Sequence, residues 1–188
     1  MDRLNIIHIL GGPGSGVSTL GRVISNSMLA PLIDIDDAHW HPTDPPYQVP
    51  RKLSEKKEIV LSQLNKKCTY VVAGDLSGWG EELSYSITVG IYLFCKSSVR
   101  LLRIKERELI RFGEKIETGG QMHERHIAFL NWAAEYEDRI GCDDRSYSRD
   151  LNWMKNMQAP YAHFSTADTP LWKVCCQAIQ FVGETIYA

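Results

Sequence analysis

The sequence lacks the features that mark several specialised classes of protein. Its five cysteines are Cys68, Cys95, Cys142, Cys175 and Cys176. They are odd in number and include no C-x-x-C pair, so they suggest neither a disulfide framework nor a zinc site, and a reducing compartment fits them best. No apolar stretch approaches a membrane span, and the short N-terminal run contains His8 and breaks at glycine, unlike a signal peptide. We therefore expect a soluble, cytoplasmic protein.

Excess charge and repetition are also missing. The formal net charge is −2, which gives no general electrostatic attraction to nucleic acid or to an anionic membrane. No basic patch interleaved with aromatic residues occurs outside one arginine-bearing segment, so nucleic-acid binding is a weak hypothesis. There is no internal repeat and no low-complexity linker. The 188 residues, 44% of them hydrophobic, suffice for one core, and we expect a single domain over residues 1–188.

Short apolar runs alternate with longer helical patterns, which predicts an α/β fold with a parallel sheet covered on both faces. The predicted strands are Leu4–Leu10, Leu32–Ile35, Thr69–Ala73, Val89–Cys95 and Tyr161–Ser165. The predicted helices are Ser18–Leu29, Ser54–Lys66, Ser98–Phe112, Gln121–Ile140, Ser146–Met157 and Leu171–Ile186. Ligands of such sheets bind at the carboxyl ends of the strands, so the residues that follow each strand are the candidates for a site.

The most informative absence is that of one lysine. The frame G-x-x-x-x-G-K-[ST] of a phosphate-binding loop is filled by Gly11, Gly16 and Ser18, but Val17 stands at the lysine position. In such a loop the backbone N–H groups point inward around phosphate, and the next helix adds its dipole. The predicted nucleotide-binding residues are Gly11, Gly12, Pro13, Gly14, Ser15, Gly16, Val17, Ser18 and Thr19. The alternative is a glycine-rich turn without a ligand.

The lysine of this motif normally bridges the β- and γ-phosphates and stabilises charge during transfer, which valine cannot do. A hydrogen bond to a charged group is worth about 1.5–3 kcal/mol, so binding can survive the loss while transfer slows by about an order of magnitude or more. If Val17 alone limits the chemistry, Val17→Lys should raise ATP turnover. The hydroxyl of Ser18 remains available to ligate Mg²⁺.

Carboxylates follow the second predicted strand, in the segment DIDDAHWH at residues 34–41. Three carboxylates at one strand end are costly unless a cation or a hydroxyl-bearing ligand lies among them. Asp36 is the first candidate to contact an acceptor hydroxyl or a magnesium-bound water, and Asp37 is the second. The alternative is that one of them only caps the next segment. The nearby His39 and His41 leave a transition-metal site open.

Asp75 directly follows the third predicted strand, where a carboxylate that orients magnesium would lie beside the phosphate loop. We therefore predict that Asp75 and Ser18 are metal ligands, the alternative being that Asp75 serves a turn or a helix cap. Trp79 either lines an acceptor pocket or fills the core.

After the fourth predicted strand, arginines recur on one face of a predicted helix, at Arg100, Arg103, Arg107 and Arg111. With Glu106 and Glu108 they can form a solvated, salt-bridged surface. The glycines that follow suggest a hinge, so arginines on a closing lid can instead stabilise the transferring phosphoryl group in place of the lysine. On that hypothesis Arg107 and Arg111 are catalytic, and Arg107→Ala lowers turnover far more than nucleotide affinity.

The remaining segments are less informative. Three aromatic residues share one face of the next predicted helix, as is typical of a core or an interface: Phe129, Trp132 and Tyr136. Arg145 and Arg149 follow, and either can return toward phosphates. Residues 166–168 follow the last predicted strand, where a loop can touch a base through its backbone.

The segments GGPGSG, D-x-DD-x-HW and VVAGD, followed by the helix RLLRIKERELIRFG, together resemble the P-loop small-molecule and nucleotide kinases. Within them the chain is similar to the adenylate kinase-like and shikimate kinase-like ATPases, including proteins related to a DNA topology modulator. The resemblance covers most of the chain in order. It implies a three-layer P-loop fold with a five-stranded parallel sheet in the order 2-3-1-4-5, ATP as donor and Mg²⁺ as cofactor.

The resemblance also implies a helical lid before the last strand, which we place at residues 113–145. By position it assigns Gly11 to Thr19 to the phosphates, Ser18 to magnesium, Asp36 to the acceptor and Arg107 to the lid. Two functions stay open. One is a phosphotransferase that moves the γ-phosphoryl group of ATP to a small hydroxylated metabolite, nucleoside or nucleotide. The other is a nucleotide-binding sensor or scaffold that has lost efficient transfer.

Overall fold

The centre of the protein is a five-stranded parallel sheet. The computed structural model describes residues 4–64, 68–140 and 144–187; Cys142 and the predicted helix end at Lys66 lie outside them. The strands are β1 (Asn5–Gly11), β2 (Leu32–Asp34), β3 (Thr69–Ala73), β4 (Ile87–Phe94) and β5 (Tyr161–Ser165). They lie in the order β2-β3-β1-β4-β5, which confirms the predicted order.

The three central strands are nearly continuous apolar runs because helices cover both of their faces. Every residue of β1 after Asn5 is buried. In the register of the sheet, Ile7 of β1 pairs with Val71 of β3 on one side and with Val89 of β4 on the other. Because all strands are parallel, the residues that follow them meet at one edge of the sheet.

The described helices are α1 (Val17–Met28), α2 (Ile35–His39), α3 (Leu53–Gln63), α4 (Ser97–Phe112), α5 (His123–Ala134), α6 (Tyr147–Asn156) and α7 (Leu171–Tyr187). Short 3₁₀ helices span Glu81–Ser86 and Gly113–Ile116. Helices α1 and α7 cover one face of the sheet, where Leu20 and Val174 join the core. Residues from α2, α3, the first 3₁₀ helix and α6 cover the other face.

Helix α5 ends earlier than predicted. The pattern indicated a helix to Ile140, whereas the structure ends α5 at Ala134. The guanidinium of Arg139 turns back and donates to the carbonyl of Trp132 at 2.9 Å, which satisfies a carbonyl in the last turn. The carboxylate of Glu137 is bound to Arg100 of α4. These side-chain contacts lie just beyond the end of the helix, and helical periodicity could not show them.

The second strand is also shorter than predicted, because Asp34 ends β2 and begins α2. The Asp34 carboxylate accepts from the backbone N–H of Asp36 at 3.2 Å, so Asp34 is the helix cap and not Asp36 or Asp37. Within the described ranges, no helix is both long and apolar enough to cross a membrane.

Candidate functional site

The residues after β1 form a loop whose backbone donors face no protein acceptor. Gly14 and Gly16 have φ angles of +82° and +101°, which glycine adopts without steric cost. Within the described part of the chain, the N–H groups of Gly14, Gly16, Val17 and Ser18 have no hydrogen-bond acceptor, and no side chain caps α1. A ring of free N–H groups at a helix N-terminus is the arrangement that binds phosphate.

Val17 and Ser18 open helix α1 directly after this loop. Val17 packs against the core formed by α1 and α7, as its apolar side chain requires. Ser18 is half-buried and Thr19 is exposed. Val17, at the lysine position of the motif, therefore contributes to the packing of α1.

Arg100 holds the loop against helices α4 and α5. Its side chain is fully buried and donates to the carbonyl of Pro13 at 2.9 Å and to that of Ala133 at 3.2 Å. The guanidinium also binds both carboxylate oxygens of Glu137, at 2.6 and 2.5 Å. The interpretation of this arginine as part of a solvated face is wrong, because Arg100 has no contact with solvent.

Tyr136 packs directly against the start of the loop. A Cβ atom added to Gly12 would lie 2.7 Å from the Tyr136 ring, so only glycine fits there. The Tyr136 hydroxyl donates to the buried carboxylate of Asp150 at 2.6 Å and lies 2.8 Å from the Tyr92 hydroxyl. Of the three predicted core or interface aromatics, Tyr136 is 2% exposed, but it belongs to the wall of the site.

The Asp150 carboxylate in turn holds Arg145. Arg145 Nε lies 3.4 Å from Asp150 Oδ2, and Arg145 Nη2 donates to the carbonyl of Gly11 at 2.6 Å. Burial disfavours the charge of Arg145, but Asp150 and Asp75 outweigh that effect and raise the pKa of the guanidinium. A charged arginine thus contacts the first residue of the loop. This agrees with the hypothesis that Arg145 returns toward the phosphate-binding loop.

Thr166 binds the phosphate-binding loop at Ser15. Its hydroxyl donates to the carbonyl of Ser15 at 2.8 Å, while Arg103 donates to the Thr166 carbonyl at 2.6 Å. The loop after β5 therefore reaches the phosphate loop, where the sequence predicted that it touches a base.

Asp36 lies at the same edge of the sheet, in the first turn of α2. Removal from bulk water and then the Asp34 carboxylate raise the pKa of Asp36, although Arg145 and Arg107 act against them. The Asp36 residue is exposed to solvent, but the surrounding protein still changes the pKa of its carboxyl group. A carboxylate of raised pKa can accept a proton from a hydroxyl group.

Asp75 follows β3 at the same edge of the sheet. Its Oδ1 accepts from the backbone N–H of Ser77 at 2.8 Å. This oxygen therefore stabilises a turn, which was the alternative role considered for Asp75. Trp79 fills the core, donates to the Asp75 carbonyl at 2.8 Å and carries Lys56 Nζ 4.0 Å above its ring. Burial lowers the pKa of Lys56, and the Asp75 carboxylate opposes that effect.

His8 lies beneath this edge, fully buried within β1. Trp153 Nε1 can only donate, so Nδ1 of His8 accepts from it at 3.2 Å and Nε2–H donates to the Gly74 carbonyl at 2.9 Å. Burial lowers the pKa of His8 to about 4, and the ring is neutral at physiological pH. This neutral histidine ties the end of β3 to β1 and α6.

Arg107 and Arg111, the predicted catalytic arginines, extend along α4. Arg107 lies 3.6 Å from Glu108 and close enough to Asp36 to lower the pKa of that carboxyl. The Arg111 guanidinium pairs with Glu108 at 3.9 Å and lies 4.7 Å from the centre of the Tyr47 ring.

The oxygen ligands at this edge of the sheet are too few to hold a magnesium ion unless a bound phosphate supplies further ligands. Among the residues described, no three His, Cys, Asp or Glu side chains cluster as a metal site, and His41 instead faces Glu55 at 3.7 Å. The transition-metal alternative therefore has no support in these residues. The Ser18 hydroxyl and the second oxygen of Asp75 are hard ligands of the kind that hold Mg²⁺ together with phosphate and water.

Comparison with known proteins agrees with this geometry. The shikimate kinase of Bacteroides thetaiotaomicron has a TM-score of 0.54 at 12% identity, with 97% of this chain and 98% of that one covered. A gluconokinase of Sinorhizobium meliloti 1021 has a TM-score of 0.51 at 17% identity, covering 98% and 97%. No protein-family model matches the sequence. The chain thus has the fold of P-loop kinases.

Two curated relatives are similar in sequence. A cytidylate kinase of Sulfurisphaera tokodaii is 27% identical over 143 residues, 64% of this chain and 72% of that protein. The uncharacterized protein YqaC of Bacillus subtilis (strain 168) is 30% identical over 154 residues, 82% of this chain and 84% of YqaC. The chain belongs to the family of YqaC.

Proposed function

We propose that the protein binds ATP at the loop of residues 11–19 and transfers its γ-phosphoryl group to a small hydroxylated acceptor. The unpaired N–H groups of the loop carry this proposal, because free N–H groups between the end of a strand and the start of a helix are suited to bind phosphate. Asp36 and Asp75 lie at the ends of the two neighbouring strands, where an acceptor would meet the γ-phosphate. The cytidylate kinase and shikimate kinase likenesses support the same reaction type.

Each part of the site has a role in that reaction. The loop N–H groups hold the phosphates, and Asp36 takes the proton of the acceptor hydroxyl. The hydroxyl oxygen bonds to the γ-phosphorus, the bond from that phosphorus to the bridging oxygen breaks, and ADP leaves with the electron pair. Ser18 and Asp75 are the residues that would hold Mg²⁺, which would supply positive charge to the phosphates. Arg107 and Arg111 approach from α4 as the lid over residues 113–145 closes.

A calorimetric titration with ATP, with and without Mg²⁺, tests the binding step. We expect magnesium-dependent binding, and Ser18→Ala should remove the dependence on magnesium. Thr19→Ala is the matched control, because the Thr19 hydroxyl is adjacent but exposed. No binding at millimolar ATP in either condition would overturn the proposal.

ADP formation with a panel of sugars, hydroxy acids, nucleosides and nucleotides then tests transfer. The second candidate function, a sensor that binds nucleotide without transfer, rests on the packing of Val17 into the core in place of a lysine. ATP binding without ADP formation for any acceptor would favour the sensor.

A further inference from the structure

We propose that Arg145 supplies to the β- and γ-phosphates the positive charge that the missing lysine would carry. This inference rests on the proposed binding of ATP at residues 11–19. It assigns a catalytic role to a residue 128 positions away in the sequence from Val17, which no local motif connects with the loop.

The position of the Arg145 guanidinium carries the argument. Nη2 donates to the carbonyl of Gly11, the residue that opens the loop, at 2.6 Å. Nε lies 3.4 Å from Asp150 Oδ2. The Nη1 group has no acceptor among the residues described, and the Arg145 side chain is 19% exposed. Arg145 is therefore fixed by two contacts while a forked pair of donors remains for a ligand.

The surroundings of Arg145 identify the ligand as an anion between the strand ends. Gly11 ends β1, so the guanidinium lies at the edge of the sheet where Asp36 follows β2 and Asp75 follows β3. A phosphate held by the loop would occupy the space beside them. Arginine binds phosphate in a bidentate manner and, unlike lysine, keeps its charge in a partly buried site.

The other nearby cations contact groups other than the Gly11 carbonyl. Arg100 is fully buried and bound to Glu137 and backbone carbonyls, and Arg103 is bound to Thr166. Arg107 is paired with Glu108. Lys56 lies over the Trp79 ring. Within the described ranges, Arg145 is the cation that donates to the Gly11 carbonyl and still has an open donor group.

Asp150 and Tyr136 are positioning residues for this arginine. Asp150 is fully buried, with one oxygen shared between Tyr136 and Arg145. Its other oxygen, Oδ1, has no partner among the described residues. The hydroxyl of Tyr92 supports Tyr136 from β4. This chain of hydrogen bonds holds Arg145 in place beside the loop.

A double-mutant cycle between Val17 and Arg145 tests the inference. ATP and ADP affinities are measured by calorimetry for the parent, Val17→Lys, Arg145→Met and the double variant. We expect Arg145→Met to weaken ATP binding about 10- to 100-fold and to reduce the preference for ATP over ADP. Val17→Lys should restore most of that loss in the Arg145→Met background. In the parent background it should add little, because a cation is already present.

Arg145→Met leaves a buried carboxylate without its partner, so a second variant guards against misfolding. Arg145→Met with Asp150→Asn removes both charges, and circular dichroism with thermal unfolding establishes that it is folded. It should show the same loss of ATP preference, and Arg145→Lys should keep part of it. Arg149→Met is the control, since Arg149 donates to the Ser77 carbonyl instead of to the loop.

The outcomes separate the two proposals. If the parent binds ATP and the folded Arg145 variants bind it equally well, or if Val17→Lys has the same effect in both backgrounds, the role of Arg145 is overturned and the proposed function stands. If neither the parent nor Val17→Lys binds ATP, both proposals fail.

Discussion

At the scale of single residues, the candidate site depends on a few positions where one side chain decides what the backbone can do. Gly12 is such a position, because it has the Tyr136 ring against it. The ring cannot easily swing away, since its hydroxyl is bound to Asp150 and Tyr92. Interiors are packed closely enough that one additional methyl group at such a point moves the backbone or a ring.

We predict that Gly12→Ala lowers the free energy of unfolding by about 1–3 kcal/mol, because the new methyl would lie 2.7 Å from the Tyr136 ring. Gly183→Ala on α7 is the control, since a Cβ there meets nothing within 4 Å. It should raise stability by about 0.5–1 kcal/mol, as alanine does in a helix. Urea unfolding measures both, and equal effects of the two variants would contradict the assigned contact.

Asp36 is the second decisive residue. Desolvation and the carboxylate of Asp34 raise the pKa of Asp36, so as the pH falls it is protonated earlier than an ordinary aspartate. In the proposed reaction a protonated Asp36 cannot take the proton of the acceptor hydroxyl, and turnover should therefore fall as the pH drops through this raised pKa.

We predict that Asp34→Asn lowers the pKa of Asp36, because it removes a like charge and keeps a side chain that can cap α2. Carbon-detected NMR titration of the Asp36 carboxyl group checks this directly, and the acid limb of turnover should shift to lower pH by the same amount. Asp37→Asn, one residue beyond Asp36, is the control. An unchanged Asp36 titration in Asp34→Asn would show that Asp34 does not act on it.

At the scale of secondary-structure elements, much of the fold follows from sequence pattern, and the exceptions have identifiable causes. The central strands and the phosphate loop could be predicted because their signals are local: continuous apolar runs, and glycines at fixed spacing before a helix. Helix α2 was missed because it has five residues and depends on one cap, Asp34. The end of α5 was missed because the apolar pattern continues to Ile140, whereas Glu137 and Arg139 beyond the helix bind Arg100 and the Trp132 carbonyl.

The wall of the site was harder to predict than the loop for the same reason. Arg145 meets Gly11 across 134 positions of sequence, and Arg100 meets Pro13 across 87. Sequence spacing shows which residues share a helix face, but it does not show which element that face meets. One signal for Arg100 was available: it follows β4 within the first turn of α4, at the edge where the other candidates lie.

Arg100 connects α4 to α5 and to the phosphate-binding loop, and its replacement is the prediction at this scale. Arg100→Leu leaves Glu137 and several carbonyls without their donor, and breaking a buried ion pair typically costs about 3–5 kcal/mol. We expect a loss of that order in urea unfolding. Lys105→Ala on the exposed face of the same helix should change stability little. A small effect of Arg100→Leu would mean that α5 does not depend on this contact.

At the scale of the whole molecule, the two faces of the sheet serve different purposes. The face under α1 and α7 is almost entirely apolar and carries Val17. The opposite face contains the buried polar groups His8 and Asp150, which connect the core to the site. Buried polar groups make stability depend on protonation, so this face links folding to pH.

His8 gives the clearest case of that linkage. In the unfolded chain its ring takes up a proton as the pH falls through 6.5, whereas in the folded protein burial delays protonation to about pH 4. Between these values the unfolded state binds more protons, so the free energy of unfolding falls as the pH is lowered. The contribution of His8 to this fall is about 3 kcal/mol.

We therefore predict that His8→Gln flattens the dependence of stability on pH between 6.5 and 4, because glutamine stays neutral there while it can still donate to Gly74 and accept from Trp153. Urea unfolding at a series of pH values measures the difference from the parent. Trp153→Phe is the companion variant: it removes one hydrogen bond but keeps a buried histidine, and it should lower stability while keeping the pH dependence. If His8→Gln follows the parent curve at every pH, then other groups cause the acid sensitivity, and His8 does not connect the core to the site through its charge.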